Sequence, residues 1–354
     1  MKFKYYIMLF ALIAIASCEK KLNVKDAPDF TVTTQSTTYK AGDTINFNIE
    51  GSADMISFYS GEVFHDYAFK EGRIVDVNGQ GATLSFKSGV TLGSQPNQLS
   101  VLVSTNFNGK YDDFASVTAA TWTDITSRFV LGTSATLLAS TTQDISDLVV
   151  TGKPLYIAFK YVTKPQVANG FARQWMIESL LLNSNAQLNG SPVMITDQIH
   201  AGFRIVDQNP VNAPARSQVT TTRVTLYGNV YKDPNDPIYD PNNPIFDPNN
   251  PIYNPDSVQY NPNAVLPIFV PYDPNSPYND PLSENWAISA PIYLDSVDLG
   301  PDHAVAIRAI TSPKLSAYSY EYSKPGTYKA YFIVSNNTID ENKQVIKEID
   351  FTIQ

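Results

Sequence analysis

Apolar residues in this chain recur at every second position in short runs, and that habit constrains the fold more than any other feature. Residues 44–50 put Ile45, Phe47 and Ile49 on one face, and residues 99–105 do the same with Leu99, Val101 and Val103. Leu84/Phe86, Leu155/Ile157/Phe159, Trp175/Ile177 and Phe332/Val334 repeat the pattern. A period of two is that of a strand with one buried face, and long 3.6-period stretches are missing. Turn pairs punctuate the runs at Asn78-Gly79, Asn108-Gly109, Asn189-Gly190 and Pro325-Gly326. Short strands at this spacing predict an all-β chain built from β-sandwiches. At 354 residues, more than one core is expected.

The N-terminus sets a compartment. Residues 1–17 carry Lys2 and Lys4, then an apolar run from Tyr5 to Ala16, then small residues, the layout of a secretory signal peptide. The run is too short for a hydrocarbon core of about 30 Å. Ile15-Ala16-Ser17-Cys18 closely resembles the bacterial lipobox, in which the cysteine is acylated and becomes the first residue of the mature chain. The alternative is an ordinary signal with an accidental cysteine, and Cys18 is the only cysteine present. Acyl chains stabilise anchoring by about 0.8 kcal/mol per buried CH₂, so the expectation is a lipid-anchored protein with residues 18–28 as its tether.

Composition narrows the chemistry. Three histidines and one cysteine leave little for zinc clusters or a disulfide framework. A net charge of −9 repels phosphate backbones, which argues against a nucleic-acid partner. Hydrophobic residues, at 43%, suffice for packed cores, while charged residues are only 17% against a usual share of about 25%. No Gly-x-Ser-x-Gly elbow, phosphate loop or dinucleotide fingerprint occurs. His65, His200 and His303 are isolated in sequence. His65 adjoins Asp66, but adjacent strand residues face opposite ways. A non-enzyme is therefore expected, without a cofactor.

Residues 231–281 are different in kind. Asp233-Pro-Asn-Asp-Pro-Ile-Tyr239 is followed at seven-residue intervals by two close copies, 240–246 and 247–253, and by fainter ones beyond. Proline at this density forbids helix interior and central strand. Asp/Asn-Pro-Asn is turn chemistry, so the segment reads as turns joined by short extended Pro-Ile-Tyr pieces. Calcium loops alternate oxygen ligands closely and need a glycine at the sharp turn, which this pattern does not offer. A surface insertion without its own ligand is expected, with a Tyr/Phe ribbon for sugar or protein as the alternative.

Two stretches bear on families. Ala82-Thr-Leu-Ser-Phe86, Gln98–Gly109, Thr121-Trp122-Thr-Asp-Ile-Thr126 and Lys153–Tyr161 together resemble the jelly-roll domains of bacterial adhesins and discoidin-like carbohydrate-binding modules, with 174–179 like their penultimate strand. That resemblance implies glycan contact at loop tips and leaves a structural calcium open. Residues 320–336, with Pro325-Gly326 as a turn, look like the last hairpin of a PKD/immunoglobulin-like domain, and 39–47 with 56–62 look like its first strands, although the Gly-Asp-Gly turn usual in PKD repeats is missing. The Phe58-Tyr-Ser-Gly-Glu62 motif is similar to one in uncharacterised Bacteroidetes surface lipoproteins. This likeness implies an outer-membrane, cell-surface location beside polysaccharide-uptake proteins, with a polysaccharide or oligosaccharide as the partner.

Neither half-domain alone supplies about seven strands, and each would expose an open sheet edge. The expected organisation is a split immunoglobulin-like sandwich, 29–71 with 313–354, enclosing a jelly roll at 72–230, the repeat at 231–281 and connecting strands at 282–312. Candidate ligand contacts come from the loop that follows the second jelly-roll strand: Phe107, Tyr111, Asp112 and Asp113 combine rings with polar acceptors. Asp112 and Asp113 also read as a hydrated loop or a calcium site. Trp122, Trp175 and Trp286 lie in strand-like runs where core packing is the ordinary role; Trp122 joins the candidates, as does Tyr59 from the Tyr-Ser-Gly-Glu turn. The competing reading is an adhesive lipoprotein that contacts another surface protein.

Overall fold

A computed structural model describes residues 26–208, 217–228, 235–262, 264–273 and 282–354; the signal segment, Cys18 and most of the tether lie outside them. The fold is all-β, with its sheets packed in sandwiches, and divides into two compact units. Of the described residues, those up to Ile74 together with Asp298–Gln354 form one unit, and those within Val75–Val297 form the other.

In the first unit, strands from both ends of the chain interleave. A five-stranded sheet runs Val305–Arg308, Met55–Tyr59, Gly326–Asn337, Asn342–Ile353, Thr38–Tyr39, and a three-stranded sheet runs Phe30–Thr33, Thr44–Gly51, Ala317–Glu321. The register sets Phe332 opposite Phe58 and Tyr320 opposite Ile45. Ile45, Phe47, Phe58, Phe332 and Phe351 fill the space between the sheets, with the Phe47 ring 5.2 Å from Phe332 and 5.5 Å from Phe58. The expected Pro325-Gly326 hairpin is corrected. Ala317–Glu321 pairs with Thr44–Gly51, whereas Gly326–Asn337 pairs with Asn342–Ile353. The Pro-Gly corner therefore carries the chain from one sheet to the other. Tyr322 at that corner is fully buried, and its hydroxyl donates to the Ser60 carbonyl at 2.8 Å.

The second unit packs a five-stranded sheet (Arg204–Asp207, Ser283–Ile288, Tyr156–Thr163, Leu99–Ser104, Thr123–Asp124) against a larger one centred on Ala82–Thr91 and Gln174–Leu188. Leu84, Phe86, Val101, Val103, Ile157, Phe159, Ile177 and Leu182, the alternating residues of the sequence, meet in this core. Residues 282–312 are not merely connecting. Ser283–Ile288 is an inner strand of this unit, paired on both sides, and Val305–Arg308 pairs with Met55–Tyr59 in the other.

The Pro-Ile-Tyr pieces of the repeat are not extended. Pro237–Tyr239, Pro244–Phe246 and Pro251–Tyr253 are each a single 3₁₀ turn, because proline at the first helical position presets φ. Asp236, Asn243 and Asn250 cap them through their side-chain oxygens. Asn243 and Asn250 also donate back to the carbonyls of Pro237 and Pro244, both at 2.7 Å, tying each turn to the one before.

Candidate functional site

The five-stranded sheet of the second unit is buried on both faces, and its outer face makes the site. Leu102, Ala158, Val206, Trp286 and Ile288 point away from the main core, yet all are buried beneath the segment between Ser104 and Thr123. That segment is riveted down. Phe107, 3% exposed, packs its ring 5.2 Å from Tyr156 and 5.4 Å from Tyr111. The Tyr111 hydroxyl donates to the Ser289 carbonyl at 2.7 Å, and the Arg204 guanidinium lies 4.8 Å from the Tyr111 ring centre. Burial raises the Tyr111 phenol above its ordinary pKa. Asp113 caps Phe114–Ala119, accepting from the Ala115 amide and the Ser116 hydroxyl, and these bonds hold its carboxyl below the usual range.

Where the segment returns to the sheet it places Trp122. The indole N–H of Trp122 donates to the Val117 carbonyl at 2.9 Å, and its partly buried ring lies 5.2 Å from Trp286 and 5.8 Å from Phe107. Trp286 stands directly opposite Lys160 on the neighbouring strand, and Lys160 opposite Ser100. The Lys160 ammonium lies 5.0 Å from the Trp286 ring centre and 3.0 Å from a Glu284 carboxylate oxygen; the other Glu284 oxygen accepts the Trp286 indole N–H at 3.2 Å. These groups, with Asp124 and Thr118, line an open groove of about 530 Å³.

A groove of this kind offers a fixed aromatic face beside charged and hydroxyl groups. Sugar C–H faces stack on such rings while the polar neighbours bond hydroxyls. Its two acids are badly placed for glycoside hydrolysis. Asp124 sits opposite Leu102, Leu102 opposite Ala158, and Ala158 opposite Ile288, on the strand that carries Glu284. Three strand spacings of about 4.8 Å and four residue rises of about 3.3 Å separate them, roughly 14 Å across and 13 Å along the sheet. The carboxylates of glycosidases stand about 5–9.5 Å apart.

The expected contacts are redistributed by this geometry. Phe107 presents no face to a ligand, because its ring is enclosed in the second cluster, and Tyr111 is spent on holding the segment. Asp112 is exposed, and Asp113 is a helix cap. Among the described residues no three of His, Cys, Asp and Glu come together as metal ligands. Trp122 does line the groove. Tyr59 belongs to the other unit, where its ring meets Tyr67 at 5.4 Å and Tyr67 stacks on Tyr331 at 4.6 Å. Its neighbours in the motif are structural: Glu62 accepts from Tyr320 at 2.6 Å. Lys160, Glu284 and Trp286 escape sequence reasoning as site residues: Glu284 and Trp286 share a strand face by spacing, but only strand register sets Lys160 beside them. The one local signal was a lysine inside the apolar run 155–161.

No curated protein and no solved structure matches the chain. A family model does, across residues 17–203, from the first strands of one unit through Ser191–Asp197 of the other. With more than half of its length matched, the chain belongs to the family described as a domain of unknown function, DUF5017.

Proposed function

We propose that this protein is a lipid-anchored, non-catalytic glycan-binding accessory at the outer-membrane surface, acting beside polysaccharide-uptake proteins, and that the Trp122 groove holds the sugar. The partly buried Trp122 ring, lining the groove and fixed by its own N–H bond beside the Lys160–Glu284 pair, is the observation that carries this reading. The rigid ring loses little entropy on contact, and the adjacent ions order hydroxyls around it. The lipobox-like Ile15-Ala16-Ser17-Cys18 supports the anchor. Affinity electrophoresis against a polysaccharide panel tests the binding: retardation by at least one glycan, lost in Trp122→Ala, is expected. Reducing-sugar release on the same panel should stay at background. Membrane fractionation of the Cys18→Ser variant tests the anchor, with release from the membrane fraction expected.

An adhesive role is favoured by a separate feature. Around the repeat, Val258, Val265, Ile268 and Val270 are 66% exposed or more. Apolar side chains held out in this way suit contact with another surface protein. Unretarded migration on every glycan, with pull-down of one envelope protein lost on deleting 235–273, would favour that role instead.

A further inference from the structure

A second cleft, of about 460 Å³, opens where Leu99–Ser104 begins, and shares Ser100 and Asp124 with the Trp122 groove. Arg173 and Trp175 form one wall of it. Each of the other described arginines has a partner: Arg73 on Asp302, Arg128 on Asp147, Arg223 on Glu178, Arg204 over Tyr111, and Arg308 on the carbonyls of Ala53 and Asp54. Arg173 alone among them has no ion pair or side-chain hydrogen bond, and its Nε is buried without an acceptor. Beside it Trp175, 8% exposed, has its indole N–H buried and likewise without an acceptor. Two adjacent unsatisfied donors are unusual inside a packed protein.

The surroundings are built to hold this wall still. Gln98, 2% exposed, accepts the Arg173 amide at 2.8 Å and donates to the Tyr161 hydroxyl at 3.0 Å. Gln95, 1% exposed, accepts the Lys164 amide at 2.7 Å and donates to the carbonyls of Lys164 and Gly170, both at 3.0 Å. Between them Asn97 turns the chain at φ +53°, the left-handed region that asparagine tolerates better than most residues. The cleft thus has a cation on a backbone that Gln98 holds, a largely buried apolar ring, and neutral donors and acceptors from Asn97, Thr126 and Thr133. Its one acid, Asp124, is not paired with Arg173 and accepts the Thr126 amide at 2.8 Å.

We infer that this cleft is an acidic-sugar subsite, in which the Arg173 guanidinium takes the carboxylate of a uronic acid whose neighbouring residues in the glycan run into the Trp122 groove. This rests on the glycan reading and narrows it to acidic polysaccharides. A planar guanidinium matches a carboxylate in a two-point bond. A single cation with one nearby carboxylate suits a monoanion better than a phosphate dianion.

The three indole N–H resonances of the full-length Cys18→Ser chain, ¹⁵N-labelled and assigned with Trp→Phe variants, report the two sites separately. Glucuronate and galacturonate are titrated against glucose and galactose. At least one uronate should move the Trp175 resonance saturably, with neither neutral sugar doing so. Arg173→Gln should weaken that response at least tenfold, while Arg173→Lys, which keeps the charge without the fork, should retain part of it. A Trp175 resonance indifferent to both uronates, equally responsive to neutral sugars, or unchanged by Arg173→Gln would overturn the subsite. So would a response to galactose 6-sulfate alone. The Trp122 resonance speaks only to the groove: if no sugar moves it, the glycan reading of the groove fails on its own terms.

Discussion

Arg73 and Asp302, 229 positions apart, close a two-pronged ion pair, with Nε 2.9 Å from Oδ1 and Nη2 2.6 Å from Oδ2. Their side chains are 8% and 1% exposed. The Arg73 guanidinium also covers the Phe69 ring at 3.6 Å, and Asp302 accepts the Asp66 amide at 2.9 Å. Both residues belong to the first unit, so their pairing joins the segments of that unit that come before and after the long insertion in sequence.

Breaking one side of this pair leaves a buried charge. Asp302→Ala should cost about 3–5 kcal/mol in denaturant unfolding, while the double variant Arg73→Met/Asp302→Leu should recover most of that loss. Burial alone would raise the Asp302 carboxyl, but the Arg73 bonds and the Asp66 amide outweigh it and hold it below the usual range. The unfolded chain therefore takes up this proton first as pH falls. The pair's contribution is intact above about pH 4 and declines below it.

At the alkaline end the same unit carries a tyrosine cluster. Burial raises Tyr318, Tyr322 and Tyr328, and burial with donation to Glu62 pushes Tyr320 up to about 12. Above pH 10 the unfolded chain releases these protons while the folded chain keeps them. The unfolded state then binds fewer protons, and stability falls as pH rises. Melting temperature should be flat up to about pH 9.5 and drop steeply beyond pH 10, in step with phenolate absorbance near 295 nm.

The turn beneath that cluster depends on one glycine. Gly61 sits at φ +81°, and a Cβ there would lie 2.6 Å from the Lys329 carbonyl oxygen. Gly61→Ala should cost about 1–3 kcal/mol, read as a lower denaturant midpoint with an unchanged slope.

In the second unit, Tyr111→Phe removes the bond to Ser289 and keeps the ring. A loss of about 1 kcal/mol is expected. Because Tyr111 ties down the segment that carries Trp122, glycan retardation should weaken without vanishing.

Much of the fold was legible because each unit's main core is drawn from single-face alternation, as at Ile45/Phe47/Ile49 and Val101/Val103. The second buried face was not. Leu102 and Ile288 are covered only because the segment between Ser104 and Thr123 folds back over them, and strand periodicity carries no trace of that cover. The repeat shows its capping Asp and Asn residues openly, but its proline density argues against helix, whereas Pro237, Pro244 and Pro251 are each the first residue of a 3₁₀ turn. Ser283–Ile288 finds its partner strands Tyr156–Thr163 and Arg204–Asp207 across the repeat, a pairing that local periodicity does not carry. At the site, Trp122 lies in a strand-like run where core packing is the ordinary role, yet it lines the groove. Lys160, Glu284 and Trp286 were not legible together, since register across two strands creates their row.

The most direct measurement of the glycan-binding claim is isothermal titration of wild type and Trp122→Ala with whichever polysaccharide retards the wild type most, alongside a thermal melt of both. A loss of affinity of about thirtyfold or more, the scale of an aromatic hot spot, with both proteins still folded, is the predicted result. Equal affinity in the two folded proteins would contradict it.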